Sequence, residues 1–215
     1  MFERFHSQFR LLPSVQEAAS PWHDARLANV AGYEDLMVSY AGASFENGLY
    51  RLHSSATGPA VQPGVDTAFP EYARRLVVFA FDWLGRQFAL DLGRVESGEA
   101  LVMMLEPGTG EALETPADFV AFHDQELIDY RDAALASDSF ASWAAANPEA
   151  VPLDVSRCVG YQVPLFLGGR DSVDNLEVTD FDVYWTMTGQ LRVETRNIPT
   201  GTRIQSVIIG PEQMP

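Results

Sequence analysis

The chain has 215 residues, of which 47% are hydrophobic and 20% charged, and this is the composition of a folded globular protein. Its 14 basic and 30 acidic side chains give a formal charge of −16 at pH 7. Nucleic acids and anionic membranes are bound through positive surfaces, so the charge argues against both as direct partners. The single cysteine, Cys158, excludes an internal disulfide and a multi-cysteine zinc site.

The start of the sequence lacks the apolar region of a signal peptide. No apolar run approaches the roughly 18 residues that a membrane helix needs. The sequence therefore predicts a cytoplasmic protein that makes no direct contact with a membrane.

Residues 1–31 predict a helical extension, since Phe2, Phe5 and Phe9 recur at the spacing of a helix turn. A second helix is predicted from Tyr33 to about residue 43. The proline- and glycine-rich segment 54–70 predicts a loop.

Short apolar segments joined by tight turns predict an antiparallel meander rather than βαβ units. The predicted strands of this region are residues 49–53, 76–81, 86–91, 101–106 and 111–114.

Thr115 as cap and Pro116 at the first helical position predict a helix from residue 116 to about 135. An alanine-rich helix is predicted over 139–146, where Asn147-Pro148 ends it. Further strands are predicted at residues 161–167, 181–187, 191–195 and 203–209.

The fold class predicted is α+β, a mostly antiparallel sheet with N-terminal helices and a central helical pair packed on it. Residues 32–210 are predicted to form one domain, and 211–215 a tail.

The segment after Gly168-Gly169 contains five acids, Asp171, Asp174, Glu177, Asp180 and Asp182. Their spacing does not match the calcium loop of an EF-hand. One interpretation is a glycine turn with solvated acids leading into a half-buried strand. The alternative is a metal-assisted hydrolase that uses the acids of 171–182, or His123 with Glu126, which lie one helical turn apart.

No cofactor is predicted from the sequence. The Gly108-Thr-Gly110 segment lacks the third glycine of a dinucleotide-binding loop, and a phosphate loop needs a lysine, which this chain does not contain. Cys158 follows Arg157, which could lower its pKa, but a lone cysteine beside Val159 indicates a packed residue.

Eleven acids lie between Glu106 and Asp154, opposed by Arg131 alone. They are either a solvated helix face or a docking surface for a basic partner. The residues proposed for partner contact are Asp118, Asp124, Glu126, Asp129 and Asp132.

Several short motifs resemble the SUKH superfamily of bacterial toxin-immunity proteins and cell-wall-synthesis regulators. They are YEDLMVSYAGASFENGLYRLH at 33–53, FAFDWLGRQFALD at 79–91, EPGTGEA at 106–112 with DFVAF at 118–122, and VPLFLGG at 163–169, DVYW at 182–185 and IPTGT at 198–202. The last group is similar to the end of immunity-type members associated with type VI secretion clusters.

The resemblance implies a non-enzymatic protein that neutralises a cognate toxin by contact. An acidic surface would cover the cationic groove of a nuclease, so a nuclease is one possible toxin. The partner is therefore expected to be basic. A regulatory scaffold of the cell-wall-synthesis type is the further alternative. The sequence leaves the oligomeric state open.

Overall fold

A computed structural model describes residues 1–13, 19–199 and 202 of the chain. The predicted strand at 203–209 and the tail at 211–215 lie outside these residues. The fold is α+β, as the sequence predicts.

A six-stranded antiparallel sheet follows the order of the chain, so that each strand pairs with the next. Its strands are β1 (Ser44–Phe45), β2 (Tyr50–Leu52), β3 (Leu76–Asp82), β4 (Gln87–Glu96), β5 (Glu99–Glu106) and β6 (Glu111–Asp118). A separate antiparallel hairpin joins β7 (Arg157–Tyr161) to β8 (Leu176–Asp180). The predicted meander is confirmed.

Helices precede, interrupt and follow the strands. They are α1 (Glu3–Gln8), α2 (Tyr33–Tyr40), α3 (Thr57–Ala68), α4 (Phe119–Ala121), a π-helical segment (Phe122–Glu126), α5 (Leu127–Asp129), α6 (Arg131–Leu135), α7 (Ser137–Ala146) and α8 (Phe181–Thr195). None of those in the described residues is both long and apolar enough to cross a membrane.

The core lies on both faces of the sheet, and strand β3 is buried along all seven residues. A register shift between Val78 and Ala80 interrupts the alternation of β3. Phe79 packs against Phe119 of α4, whereas Phe81 packs against Phe181 of α8. An apolar strand covered on both sides explains why its sequence is nearly continuous in hydrophobic residues.

The prediction of a loop over 54–70 is wrong, because α3 occupies most of it. Val61, Val65 and Ala68 are buried at helical spacing, and this packing outweighs the poor helix propensity of glycine and proline. Pro59 lies in the first turn, where a backbone N–H has no partner within the helix. Gly58 has a packing role, since a Cβ there would lie 2.0 Å from the ring of Trp22.

The helix predicted from residue 116 begins later, at Phe119. Thr115 and Pro116 belong to β6, an edge strand, where a residue without an N–H is tolerated. The N-cap is Asp118, whose carboxylate accepts the Ala121 N–H at 2.8 Å. Helical structure then continues to Leu135 with breaks, one of them at Tyr130.

The two strands predicted over 181–187 and 191–195 are wrong, since these residues form the single helix α8. Its buried residues recur at the spacing of a helix, and they are Phe181, Tyr184, Trp185, Thr188 and Gly189. The predicted strand 161–167 is wrong as well. β7 ends at Tyr161, and a 3₁₀ turn follows at Leu165–Leu167.

Asp180 is the N-cap of α8, so its substitution tests whether a helix begins here. Its carboxylate accepts the N–H groups of Asp182 and Val183 at 3.0 and 3.1 Å. We expect Asp180→Ala to lower the free energy of unfolding by about 1 kcal/mol, measured by urea denaturation. Asp174→Ala removes an exposed acid of the same region and serves as control. Equal stability of the two variants would contradict the capping role.

Candidate functional site

The acids proposed for partner contact are mostly engaged within the fold. Asp118 caps α4 as described above. Asp132 accepts the backbone N–H of Asp138 at 2.9 Å and so caps α7. Asp124 accepts the N–H groups of Arg4 and Phe5 at 2.8 and 3.0 Å, and thereby caps α1 from a distant part of the chain.

Asp129 forms a two-pronged ion pair with the guanidinium of Arg4, with N–O distances of 2.5 and 2.9 Å. Both side chains are about half exposed, so solvent screens the pair. Among the described residues, Glu126 receives no hydrogen bond on its carboxylate, and it is half-buried. These acids thus hold the N-terminal helix in place and cap two other helices. That they form a docking surface remains a prediction.

His123 is fully buried, and both of its ring nitrogens have partners. Nδ1 lies 2.8 Å from the carbonyl oxygen of Phe119, which can only accept, so the ring proton is on Nδ1. Nε2 accepts from the Tyr50 hydroxyl at 2.8 Å. Burial lowers the pKa of His123 to about 4, so the ring is neutral at pH 7. A metal ligand needs a free ring nitrogen, which His123 does not offer beside Glu126.

The acids after Gly168-Gly169 are spread over separate structures. Asp171 accepts the Tyr161 hydroxyl at 2.9 Å, Asp174 lies on an exposed turn, and Asp180 caps α8. Within the described part of the chain, no group of three or more His, Cys, Asp or Glu residues is placed to hold a metal ion. Gly168 has φ of 87°, so the expectation of a glycine turn is met.

Cys158 is buried in the core, where burial raises the pKa of its thiol to about 12. The guanidinium nearby is that of Arg51, which is itself fully buried and donates to the carbonyl oxygens of Asp82, Asp154 and Arg157. A thiol held protonated in this way is a packed residue and a poor nucleophile.

A cleft of about 610 Å³ opens beside the turn that follows β3. Its floor comes from the turn after β3 and from the end of β5. One wall is the start of α7 and the other is the loop that connects β7 to β8. The charged side chains that line it are Arg86, Glu106, Asp138 and Asp171.

The floor is built around a buried ion pair. Asp82 accepts the N–H groups of Leu84 and Arg86 at 3.0 Å through one oxygen, and the Arg86 Nε at 2.6 Å through the other. Burial raises the pKa of Asp82, and the charge of Arg86 opposes this rise. Burial alone would lower the pKa of Arg86, but the charges of Asp82 and Glu106 outweigh it and raise the pKa. The bond from the Arg86 Nε to Asp82 identifies the two groups as a buried ion pair.

Three hydrogen bonds fix the turn to the surrounding elements. The indole of Trp83 donates to the Leu135 carbonyl of α6 at 2.9 Å. The indole of Trp185, from α8, donates to the Gly85 carbonyl at 2.7 Å, and Val159 of β7 donates to the Trp83 carbonyl at 2.7 Å. Sheet, helices and hairpin are thereby held around a preformed cleft.

Glu106 ends strand β5 and faces the cleft with 8% of its surface exposed. Oε1 accepts the Gly108 N–H at 3.1 Å, whereas Oε2 lies 3.6 Å from the Arg86 Nε, beyond hydrogen-bond distance. Burial raises the pKa of Glu106 to about 7 against the opposing charge of Arg86.

The wall formed by the 161–176 loop combines polar and apolar groups. Tyr161 packs on Gly108, where a Cβ would lie 2.4 Å from its ring, and its hydroxyl holds Asp171. Leu165, Val173 and Leu176 supply apolar surface to the same cleft.

A comparison with protein families finds a match to a segment that forms part of this site. Residues 118–192 match the family model described as T6SS immunity protein Tdi1, C-terminal. This segment is similar to part of a type VI secretion immunity protein. It covers about a third of the chain and runs from the cap of α4 into α8, so it supplies both walls of the cleft.

Among solved structures, the chain is similar to the crystal structure of Atu4351 from Agrobacterium tumefaciens. The TM-score is 0.57 at 12% sequence identity, over 88% of this chain and 89% of that one. This likeness shows a shared fold across nearly the whole chain. No curated protein matches this chain. The match supports the expectation of an immunity-type protein, and membership of the SUKH superfamily stays a prediction.

Sequence reasoning missed the cleft, because its charged residues are far apart in the chain. Asp171 was singled out for a metal site rather than for a shared cleft. Only the floor has a signal in the sequence, which is the pairing of Asp82 with Arg86 across a tight turn, since an acid and a base in an otherwise apolar strand pair indicate a buried ion pair.

Proposed function

We propose that this protein is a non-enzymatic immunity protein that neutralises a cognate type VI secretion toxin by direct contact. The observation that carries the proposal is the match of residues 118–192 to the C-terminal part of an immunity protein. Those residues include the walls of the cleft described above.

The chemistry of the buried titratable groups supports a binding role. His53 and His123 are buried with partners on both ring nitrogens. Burial lowers the pKa of each ring to about 4, and it raises that of Cys158 to about 12. Groups held in these states stabilise a fold, whereas acid–base catalysis needs pKa values near the working pH. Glu106 has such a pKa, of about 7, and the proposal gives it a binding role in the cleft.

The charge of −16 supports a basic partner. A nuclease toxin has a cationic groove for its substrate, and an acidic protein approaches such a groove quickly and competes with nucleic acid for it. Direct binding of nucleic acid or membrane by the immunity protein itself is not part of the proposal. We place the encounter in the cytoplasm, where a nuclease meets its substrate.

The acids of α4 to α6 contribute to this attraction although most of them are hydrogen-bonded. A carboxylate that caps a helix keeps its charge, and its field extends over a Debye length of about 8 Å in physiological salt. We therefore retain Asp118, Asp124, Glu126, Asp129 and Asp132 as part of the acidic surface that steers the toxin.

The test uses as candidate toxin the product of a gene adjacent to the one that encodes this protein. Cells that make the toxin are expected to grow only if they also make this protein, with cells carrying an empty vector as control. With purified proteins, toxin activity is expected to fall in proportion to the immunity protein added and to vanish at one equivalent. Full protection far below one equivalent would indicate catalysis and contradict the proposal.

A further inference from the structure

We propose that the cleft receives an arginine or lysine side chain of the toxin. The cleft is the space between the turn after β3, the start of α7 and the 161–176 loop. The inference rests on the proposed function, because it names the toxin as the partner.

The charge balance of the cleft favours a cation. Asp82 and Arg86 neutralise each other in the floor, and Arg86 also donates to the Ala134 carbonyl at 3.1 Å. Glu106, Asp138 and Asp171 then remain as acids around one space. A positive group that enters meets the carboxylates of Asp138 and Asp171 and the carboxyl group of Glu106. The one guanidinium among the lining residues, that of Arg86, is already paired with Asp82.

Glu106 gives a second and independent reason. It is more than nine-tenths buried at the floor of the cleft, yet its Oε2 has no hydrogen-bond donor within range among the described residues. Oε2 is not among the fully enclosed atoms without a partner, so it is accessible from the cleft, where an entering group can donate to it. A guanidinium or ammonium group would supply that donor as a charge-assisted hydrogen bond.

The shape of the cleft selects a long side chain over a bare ion. Leu165, Val173 and Leu176 form an apolar rim, and Val173 is 52% exposed. The methylene stem of an arginine or lysine packs on such a rim while its charged end reaches the acids. A volume of about 610 Å³ has room for the whole side chain.

The test compares two triple variants that remove the same charge. Glu106→Gln/Asp138→Asn/Asp171→Asn neutralises the cleft with side chains of the same shape. Glu96→Gln/Glu111→Gln/Glu149→Gln neutralises three exposed acids outside it. Calorimetric titration with the purified toxin is expected to show at least about 30-fold weaker binding for the cleft variant and less than about 3-fold for the control.

The outcomes separate this inference from the proposed function. If the cleft variant binds and protects like wild type, the cleft inference is overturned while the immunity function stands. Stronger loss in the control variant would place the contact elsewhere and overturn it too. If wild type itself does not bind the toxin, the proposed function fails and the inference fails with it.

A second pair of variants keeps the test valid if the triple variant folds poorly. Ser139 and Ala145 are both exposed on α7, but only Ser139 lines the cleft. Ser139→Arg places a guanidinium of this chain among the acids and is expected to weaken toxin binding more than 10-fold, whereas Ala145→Arg leaves it unchanged. A dimer of the free protein that Ser139→Arg separates would show that a second copy occupies the cleft, and would overturn the inference.

Proton release gives a readout that a merely structural role of Glu106 would not produce. A cation beside Glu106 lowers the pKa of its carboxyl, so binding near neutral pH releases a proton. Titrations in phosphate and in Tris are expected to differ in apparent enthalpy for wild type and to agree for Glu106→Gln. Agreement in both proteins would contradict contact of the cation with Glu106.

Discussion

Replacing Asp82 with alanine is expected to lower the free energy of unfolding by about 3 to 5 kcal/mol. Asp82 is fully buried, and its two oxygens hold two backbone N–H groups and the Arg86 guanidinium. The substitution leaves a buried cation without its carboxylate, which costs more than the pair itself contributes. Urea denaturation followed by tryptophan fluorescence measures the change, with Asp174→Ala as the exposed control.

The double variant Asp82→Leu/Arg86→Met separates the effect of losing the ion pair from the effect of leaving Arg86 buried without its partner. Removing both charges is expected to recover much of the stability, since no guanidinium is left buried without its carboxylate. A single variant that costs less than about 1 kcal/mol would mean that the ion pair does not hold the floor of the cleft.

Glu106 is expected to make the protein more stable at pH 5 than at pH 8. Burial raises the pKa of Glu106 from 4.5 in the unfolded chain to about 7 in the fold, so the folded state binds the proton more tightly. The resulting stabilisation is fully present below pH 4.5 and is lost as the pH rises to about 7. Between pH 8 and pH 5 this single group contributes about 2 to 3 kcal/mol.

The groups that face Glu106 set the size of this effect. Arg86 opposes the rise in pKa, whereas Asp82 and Asp171 add to it. Urea denaturation of wild type and Glu106→Gln at both pH values isolates the contribution, because all other titrating groups cancel in the difference. Glu111→Gln, on the same hairpin, is the charge-matched control. If Glu106→Gln shows the same pH dependence as wild type, Glu106 does not titrate as described.

The sheet could be predicted from sequence because its signals are local. The turn from Asp82 to Gly85 joins two apolar strands, and Gly85 adopts φ of 76°, which favours glycine. β3 through β6 follow each other with short connections, so neighbours in sequence are neighbours in space.

The helices α3 and α8 were missed because tertiary packing outweighs their local sequence. Phe181 to Trp185 alternates as a strand would over five residues, and only the full run to Gly189 shows the helical period. Asp180 is one of the five acids grouped together from the sequence, and its role as a helix cap appears only in the fold. α3 has two prolines and two glycines, and it forms where its apolar face lies against α8.

The cleft could not be predicted, because no pattern in the sequence joins its parts. Arg86, Glu106, Asp138 and Asp171 come from a turn, a strand end, a helix start and a loop. Their proximity follows from long-range contacts such as the bond from Trp83 to Leu135, and single-sequence reasoning has no access to those. Burial, which sets the pKa of Glu106, likewise exists only in the folded chain.

Direct binding of the toxin is the central claim, and a calorimetric titration tests it most directly. The purified candidate toxin, the product of an adjacent gene, is titrated with the wild-type protein at physiological salt. We expect a one-to-one complex of nanomolar or tighter affinity that weakens as salt is raised, since opposite charges meet. Absence of binding at micromolar concentrations, with a toxin that is active in the same buffer, would contradict it.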